Sequence, residues 1–348
     1  MNVRLTALAA ALFACTTPAW ASIEPLPTHE TYSAAADIGT NSFSDDPVYV
    51  PLLDMTTTAG ATAQIAGTSY SASASTTLGG NHAYAQANAF PADTFGSTSF
   101  SGWYDQVTIN GGDGPGTAQF TVQLSGSVNV GAFAGILGYG LMTSTTHPSV
   151  LGTDIIVDPG TPTSPWFLIS SEVNPIIEYS IVASPYNDPD QLSGLFGAPG
   201  GGIPAIDDPA YLLGGDAGMG FPAPDQVLTP GAGHVNVTLH GTLNFTYGQA
   251  FYLIGVLNTD LLDLGAFQPF CSFDTECPAS PSIDGTGATT LDFSNSANLV
   301  NIGLPEGATA SFASGASYNV TAVPEPGEWL MMLAGLGLVG WRARRKSA

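Results

Sequence analysis

The chain has 348 residues, five of them basic and 28 acidic, for a formal net charge of −23 at neutral pH. The basic residues are Arg4 and then Arg342, Arg344, Arg345 and Lys346, so Ser22 to Ala322 holds no Lys or Arg and 26 of the acids, where an ordinary domain of that length carries on the order of 35 basic side chains. Nucleic acid and anionic membrane surfaces are thereby excluded as direct partners, since both require a basic face, and each carboxylate must be solvated, hydrogen-bonded or neutralised by a cation.

Residues 1–21 read as an export signal. Arg4 precedes the apolar run Leu5 to Phe13, and Ala19-Trp20-Ala21 supplies the small-residue pattern that places cleavage before Ser22. A lipoprotein reading at Leu12-Phe13-Ala14-Cys15 is disfavoured by the bulk of Phe13, and the first reading discards Cys15.

The body, residues 22–322, reads as all-β: one large antiparallel, jelly-roll-like sandwich of ten to fourteen strands with long loops. Ser69 to Thr77 and His82 to Phe90 flank Leu78-Gly79-Gly80-Asn81, where glycine supplies the positive φ of a tight hairpin. Their alanines, Ala72 and Ala74 against Ala83, Ala85, Ala87 and Ala89, predict a closely approached face. Trp103 to Ile109 is a strand, followed by Thr117 to Val130, in which Thr, Gln, Ser and Asn alternate with Ala, Phe, Val, Leu and Gly. Phe167 to Val173 and Ile176 to Val182 follow. Asn187 to Gly233, punctuated by Pro, Gly and Asp, reads as a long insertion without alternation. His234 to Tyr247 then repeats the two-faced alternation, aligning without gaps so that Phe120 to Val130 matches Val235 to Phe245, either as halves of a duplication or as equivalent edges of one sandwich. Gly126 and Gly241, on the apolar faces of strands longer than usual, predict bulges or bends. Ala250 to Leu257, Leu299 to Ile302 and Ser311 to Thr321 complete the set.

Chemistry-bearing residues are sparse. Cys271 and Cys277, left after export, predict a short disulfide loop in an oxidising compartment. Nucleophile-elbow, zinc-protease, phosphate-loop and EF-hand patterns are absent from the sequence, which argues against an enzyme. His234 and His240 share a strand face about 20 Å apart, too far to ligate one ion. Asp45-Asp46 and Asp207-Asp208 precede proline and read as turns rather than a glycosidase pair. Calcium is the ion that acidic loops could take, with Asp37, Asp45, Asp188, Asp190 and Asp284 in the candidate loops, the first running from Asp37 to Asp46 and the last from Asp284 to Asp292. Trp103, Tyr104 and Trp166 are either core or exposed platforms for stacking a sugar.

The tail, residues 323–348, is the most specific signal. Pro324-Glu325-Pro326 breaks any strand or helix, the apolar run Trp329 to Trp341 is helix-prone, and Arg342, Arg344 and Arg345 close it with positive charge. Thirteen residues span about 20 Å as a helix, short of a roughly 30 Å hydrocarbon core. In order and spacing this resembles the PEP-CTERM sorting signal of Gram-negative bacteria. The resemblance implies that an inner-membrane exosortase is the partner, that the short helix holds the precursor in that membrane, and that processing sends the protein to the cell surface or outside. The function expected is a structural or adhesive role in biofilm, floc or exopolysaccharide matrix; the alternative is a module binding extracellular polysaccharide or calcium.

Overall fold

The computed structural model describes residues 28–39, 60–91, 94–148, 173–187, 226–263 and 284–323. They form fourteen strands: β1 (His29–Gly39), β2 (Gly60–Ala66), β3 (Tyr70–Thr77), β4 (Gly80–Ala87), β5 (Thr94–Asn110), β6 (Pro115–Val130), β7 (Ala134–Ser144), β8 (Val173–Ala183), β9 (Gln226–Leu228), β10 (Gly231–Thr246), β11 (Ala250–Leu262), β12 (Thr289–Pro305), β13 (Thr309–Phe312) and β14 (Val320–Val323). Two seven-stranded sheets pack against each other. One runs β1-β5-β11-β7-β8-β9 with β13 beside β5, the other β10-β6-β12-β4-β3-β2 with β14 beside β12. The all-β sandwich expected from the alternation is what the chain forms. The sorting helix expected at the C-terminus lies outside the described residues, and among those no helix is long and apolar enough to cross a membrane.

From β4 onward most connections change sheet, so strands that neighbour one another are distant in sequence: β6 pairs with β12, and β5 with both β1 and β13. The β3–β4 hairpin is local, with Thr77 opposite Gly80 and the reversal made by Leu78 and Gly79 at φ 80°, a backbone that only glycine adopts cheaply.

The main core lies between the sheets. Phe120, Val122 and Leu124 of β6 and Phe293 of β12 meet Leu137 of β7 and Leu253 of β11, all at 1% exposure or less; each such side chain contributes about 1.5–3 kcal/mol on leaving water. Towards β1 and β3 the filling changes. Ala72 and Ala85 are small enough for the sheets to come within hydrogen-bond reach of each other, as the alanine pattern predicted. The Ser33 hydroxyl donates to the Ala61 carbonyl (2.8 Å), Thr76 shares bonds with Ser33 (2.8 Å) and Ser101 (2.7 Å), and all four residues are buried. Asn81 clamps the layers: from β4 its amide N–H groups donate to the carbonyls of Ser101 (2.8 Å) and Gly255 (3.3 Å), while its oxygen accepts from the Trp103 indole N–H (2.9 Å).

The first sheet is apolar on its other face too, where Tyr32, Phe100, Tyr104, Met142, Ile254 and Val256 form a second buried cluster. This is why β7 and β11 are buried at almost every position and why β7, lacking alternation, left no strand signal.

Several expectations need correction. β6 and β10 are not equivalent edges: they are antiparallel neighbours, Phe120 opposite Gly241, with β6 inside the sheet and β10 at its edge. Their sixteen paired positions run without a register shift, so Gly126 and Gly241 do not mark bulges in either strand. The irregularities are in β12, between Asp292 and Ala297 and between Leu299 and Asn301 where it passes β6. Gly126 clears space for the first, since a Cβ there would lie 2.5 Å from the Phe293 ring, and Gly241 admits the Ile176 carbonyl of the opposite sheet, 2.3 Å from where a Cβ would stand. Ser311 to Thr321 is two strands, β13 and β14, separated by a turn. Asp37 lies in β1 and Asp292 in β12 rather than in loops. The insertion read as Asn187 to Gly233 ends in β9 and the first residues of β10.

Candidate functional site

The C-terminal end of the sandwich is built around one buried carboxylate. Asp105 occupies an inward position of β5 between Trp103 and Val107 and is fully buried. It accepts the Ser314 amide N–H (3.1 Å), a short bond from the Ser314 hydroxyl, and the Tyr318 hydroxyl (3.4 Å). Burial pushes its pKa up, and the Ser314 bonds, the nearby His29 and Tyr318 oppose that rise. Tyr318 packs on Trp103 (centroids 6.2 Å apart) and Phe312 (4.4 Å), and burial, with the Asp105 charge beside it, pushes its phenol well above the ordinary range. The turn between β13 and β14 is thus fastened to the core by charge-assisted bonds. β14 then lies parallel to β12, Ile302 opposite Val320 and Pro305 opposite Val323. Pro324, which lacks an N–H, follows immediately. The fold therefore fixes the point at which the tail departs.

Of the residues expected to carry function, most lie outside the described residues: the sorting residues Pro324, Glu325, Pro326, Arg342, Arg344 and Arg345, the export residues Ala19, Ala21 and Ser22, the cysteines Cys271 and Cys277, the acids Asp45, Asp188 and Asp190, and Trp166. Asp37 stands opposite Ser97 in the β1–β5 ladder. Asp284 is exposed and accepts the Asn187 N–H (3.1 Å), a contact between distant parts of the chain, and Asp292 accepts from the Ser294 hydroxyl two residues on (2.7 Å). Among the described residues no three His, Cys, Asp or Glu side chains are grouped to hold a metal. His234 and His240 are exposed on the wet face of β10, as read, and His240 Nδ1 lies 3.3 Å from the Thr121 hydroxyl. Trp103 and Tyr104 are fully buried, so neither is a platform for a ligand; both belong to the core.

Two buried acids were missed by sequence reading. Asp105 interrupts the inward series Trp103, Val107, Ile109, and that break in alternation was the available signal. Asp260 sits in the apolar run of β11, 4% exposed, on the outward cluster of the first sheet. Its pKa is pushed up to about 6 by burial, opposed by bonds from Thr98 and Asn258, whose amide donates at 2.6 Å. On the same face but towards the other end of β11, where Ile254 pairs with Tyr104, Tyr104 and His147 approach to 3.2 Å, and the His147 ring stands edge-on to Tyr104 and Tyr252. A groove opens on the outer side of β2, β3 and β4. It encloses about 260 Å³ and is lined by Gln64, Ser73, Ser75, His82, Tyr84 and Ser294 among others.

Comparison with protein families matches residues 322–346 to the PEP-CTERM protein-sorting motif. The match begins at Ala322, inside β14, and takes in Pro324, Glu325, Pro326 and the arginines. It marks the chain as an exported protein sorted to the cell surface, with exosortase as its processing partner. No curated protein matches the chain.

Proposed function

We propose that this protein is a structural component of the cell surface or extracellular matrix, an acidic β-sandwich delivered by exosortase and contributing to the cohesion of a biofilm, floc or exopolysaccharide matrix. The observation that carries the reading is the junction at β14, where a densely bonded fold ends and the sorting motif begins within the same strand. The two buried acids support a non-enzymatic role: Asp105 and Asp260 are consumed by internal bonds rather than aimed into a cleft. Before processing, the apolar run Trp329 to Trp341 holds the precursor in the inner membrane, and the arginines keep its end on the cytoplasmic side.

A second reading, binding of polysaccharide, is favoured by the groove over β2 to β4, where hydroxyl and amide groups surround Tyr84. One experiment tests both. The wild-type gene and a Glu325→Ala variant are expressed in an exosortase-bearing host, and tail-specific antibody, fractionation and floc strength are measured. Wild type should lose the tail and raise cohesion, while the variant stays in the membrane and does not. Wild-type protein keeping Trp341 at its final location would remove the sorting account. Normal cohesion without the protein, together with glycan-array binding abolished by Tyr84→Ala, would favour the second reading.

A further inference from the structure

Strand β10 forms one edge of the second sheet, and β6 is its only paired strand among the described residues. It is long, sixteen residues or roughly 50 Å at 3.4 Å per residue. An edge of this kind presents a row of unpaired N–H and C=O groups to any passing strand, and proteins ordinarily blunt it with charge, proline, a bulge or brevity. The other edges follow that rule: β9 has three residues, β13 and β14 four each, β2 seven, and β1 carries Glu30 and Asp37. β10 uses none of these devices. It contains no Asp, Glu or Pro, and its register with β6 is unbroken from Gly231 to Thr246. Of 28 acids in the chain, none falls in β6 or β10, so the two strands form a neutral strip on a protein of charge −23. The strand's inward side chains Val237, Leu239 and Leu243 are also only partly buried, whereas Val122 and Leu124 on neighbouring β6 are fully covered.

We propose that β10 is a self-association edge, pairing antiparallel with β10 of a second copy about a two-fold axis near Leu239, so that two seven-stranded sheets become one of fourteen. Antiparallel partners stand on the same face. In this register Thr238 meets His240 and Asn236 meets Thr242 on the wet side, while Leu239 meets Leu239 and Val235 meets Leu243 on the core side. Polar thus faces polar and apolar faces apolar along the strand, which a two-fold axis requires. Because the contact is isologous and consumes the edge in both copies, assembly stops at the dimer. The acids elsewhere repel, so association strengthens as salt shortens the Debye length. The inference does not depend on the matrix role proposed above.

The test uses the full chain in mild detergent, with mass by light scattering after size exclusion. At roughly 50 µM protein the wild type should run as a dimer, more completely at about 0.15 M salt than at about 0.01 M. Leu239→Lys should weaken the dimer by at least about tenfold in Kd with an unchanged circular dichroism spectrum. Leu239→Cys should give a covalent dimer on treatment with a short bis-maleimide cross-linker, which adds one thiol to each end, where Thr62→Cys on the β2 edge and the wild type do not. A monomeric wild type at every salt concentration overturns the proposal, as does a folded Leu239→Lys variant that dimerises normally. Should Leu239→Lys fail to fold, the cross-linking comparison decides, and equal yields from the two cysteine variants overturn it.

Discussion

Asp260 makes stability depend on pH in a direction that can be isolated. Its pKa rises from an ordinary 3.8 to about 6 because the folded chain buries the carboxyl on the outward cluster of the first sheet. At about 1.4 kcal/mol per tenfold change in ionisation, that difference corresponds to about 3 kcal/mol. A raised folded-state pKa means that the native state holds the proton more tightly than the unfolded state does. The contribution is therefore fully present below pH 3.8 and is lost as pH rises through about 6. Asp260→Asn keeps the shape and the acceptor for the Asn258 amide but cannot ionise. Urea unfolding of both proteins between pH 4 and 8, followed by fluorescence of buried Trp103, should show the variant's advantage growing with pH. It should reach about 2 kcal/mol near pH 7 once about 1 kcal/mol is allowed for the imperfectly paired amide. Curves that stay parallel over this range, or a variant less stable at pH 7 than at pH 4 relative to wild type, would refute the reasoning.

Asn81→Ala should cost about 3 kcal/mol in urea unfolding, because it leaves the Trp103 indole N–H and the Ser101 carbonyl without their partner inside the sandwich. Trypsin should fail to cut between Ser22 and Ala322 even in urea, since no Lys or Arg occurs there; specific internal tryptic peptides seen by mass spectrometry would contradict the sequence reading. If the acidic loops outside the described residues take calcium, a few millimolar calcium at fixed ionic strength should raise the melting temperature by several degrees more than magnesium does. Equal shifts would leave screening alone. Cys271→Ser should lower stability only modestly, as a seven-residue disulfide loop restrains little chain entropy, and free thiols titrating in the exported protein would remove the disulfide.

What could be read from the residues depended on whether a strand has one wet face. β6 and β10 do, and their alternation placed each limit within three residues, Thr117 to Val130 against Pro115–Val130 and His234 to Tyr247 against Gly231–Thr246. β7 and the second half of β11 do not, because the first sheet is covered on both sides; the strand expected to end at Leu257 continues through Asn258, Thr259 and Asp260 to Leu262. The split of Ser311 to Thr321 into two strands could not be seen locally, since Ser314 turns there to reach Asp105, more than two hundred positions away. For the same reason Trp103 leaves open a choice between platform and core, which its full burial and its bond to Asn81 resolve. The sorting motif was legible for the opposite reason: a linear signal read by another protein needs no partner strand to make sense.

The pairing scheme also sets a timetable. An exported chain crosses the membrane N-terminus first, yet β6 waits for β12, β5 waits for β13, and β12 waits for β14, which ends one residue before Pro324. Neither sheet can close until about nine-tenths of the chain is across, and long-range pairing of this kind is slow. The last strand comes through with the tail directly behind it, so maturation of the sandwich coincides with capture of the tail. A protein cut loose too early would still be assembling its final ladder, so the membrane retention proposed above would serve as a period of protected folding as well as a step in delivery.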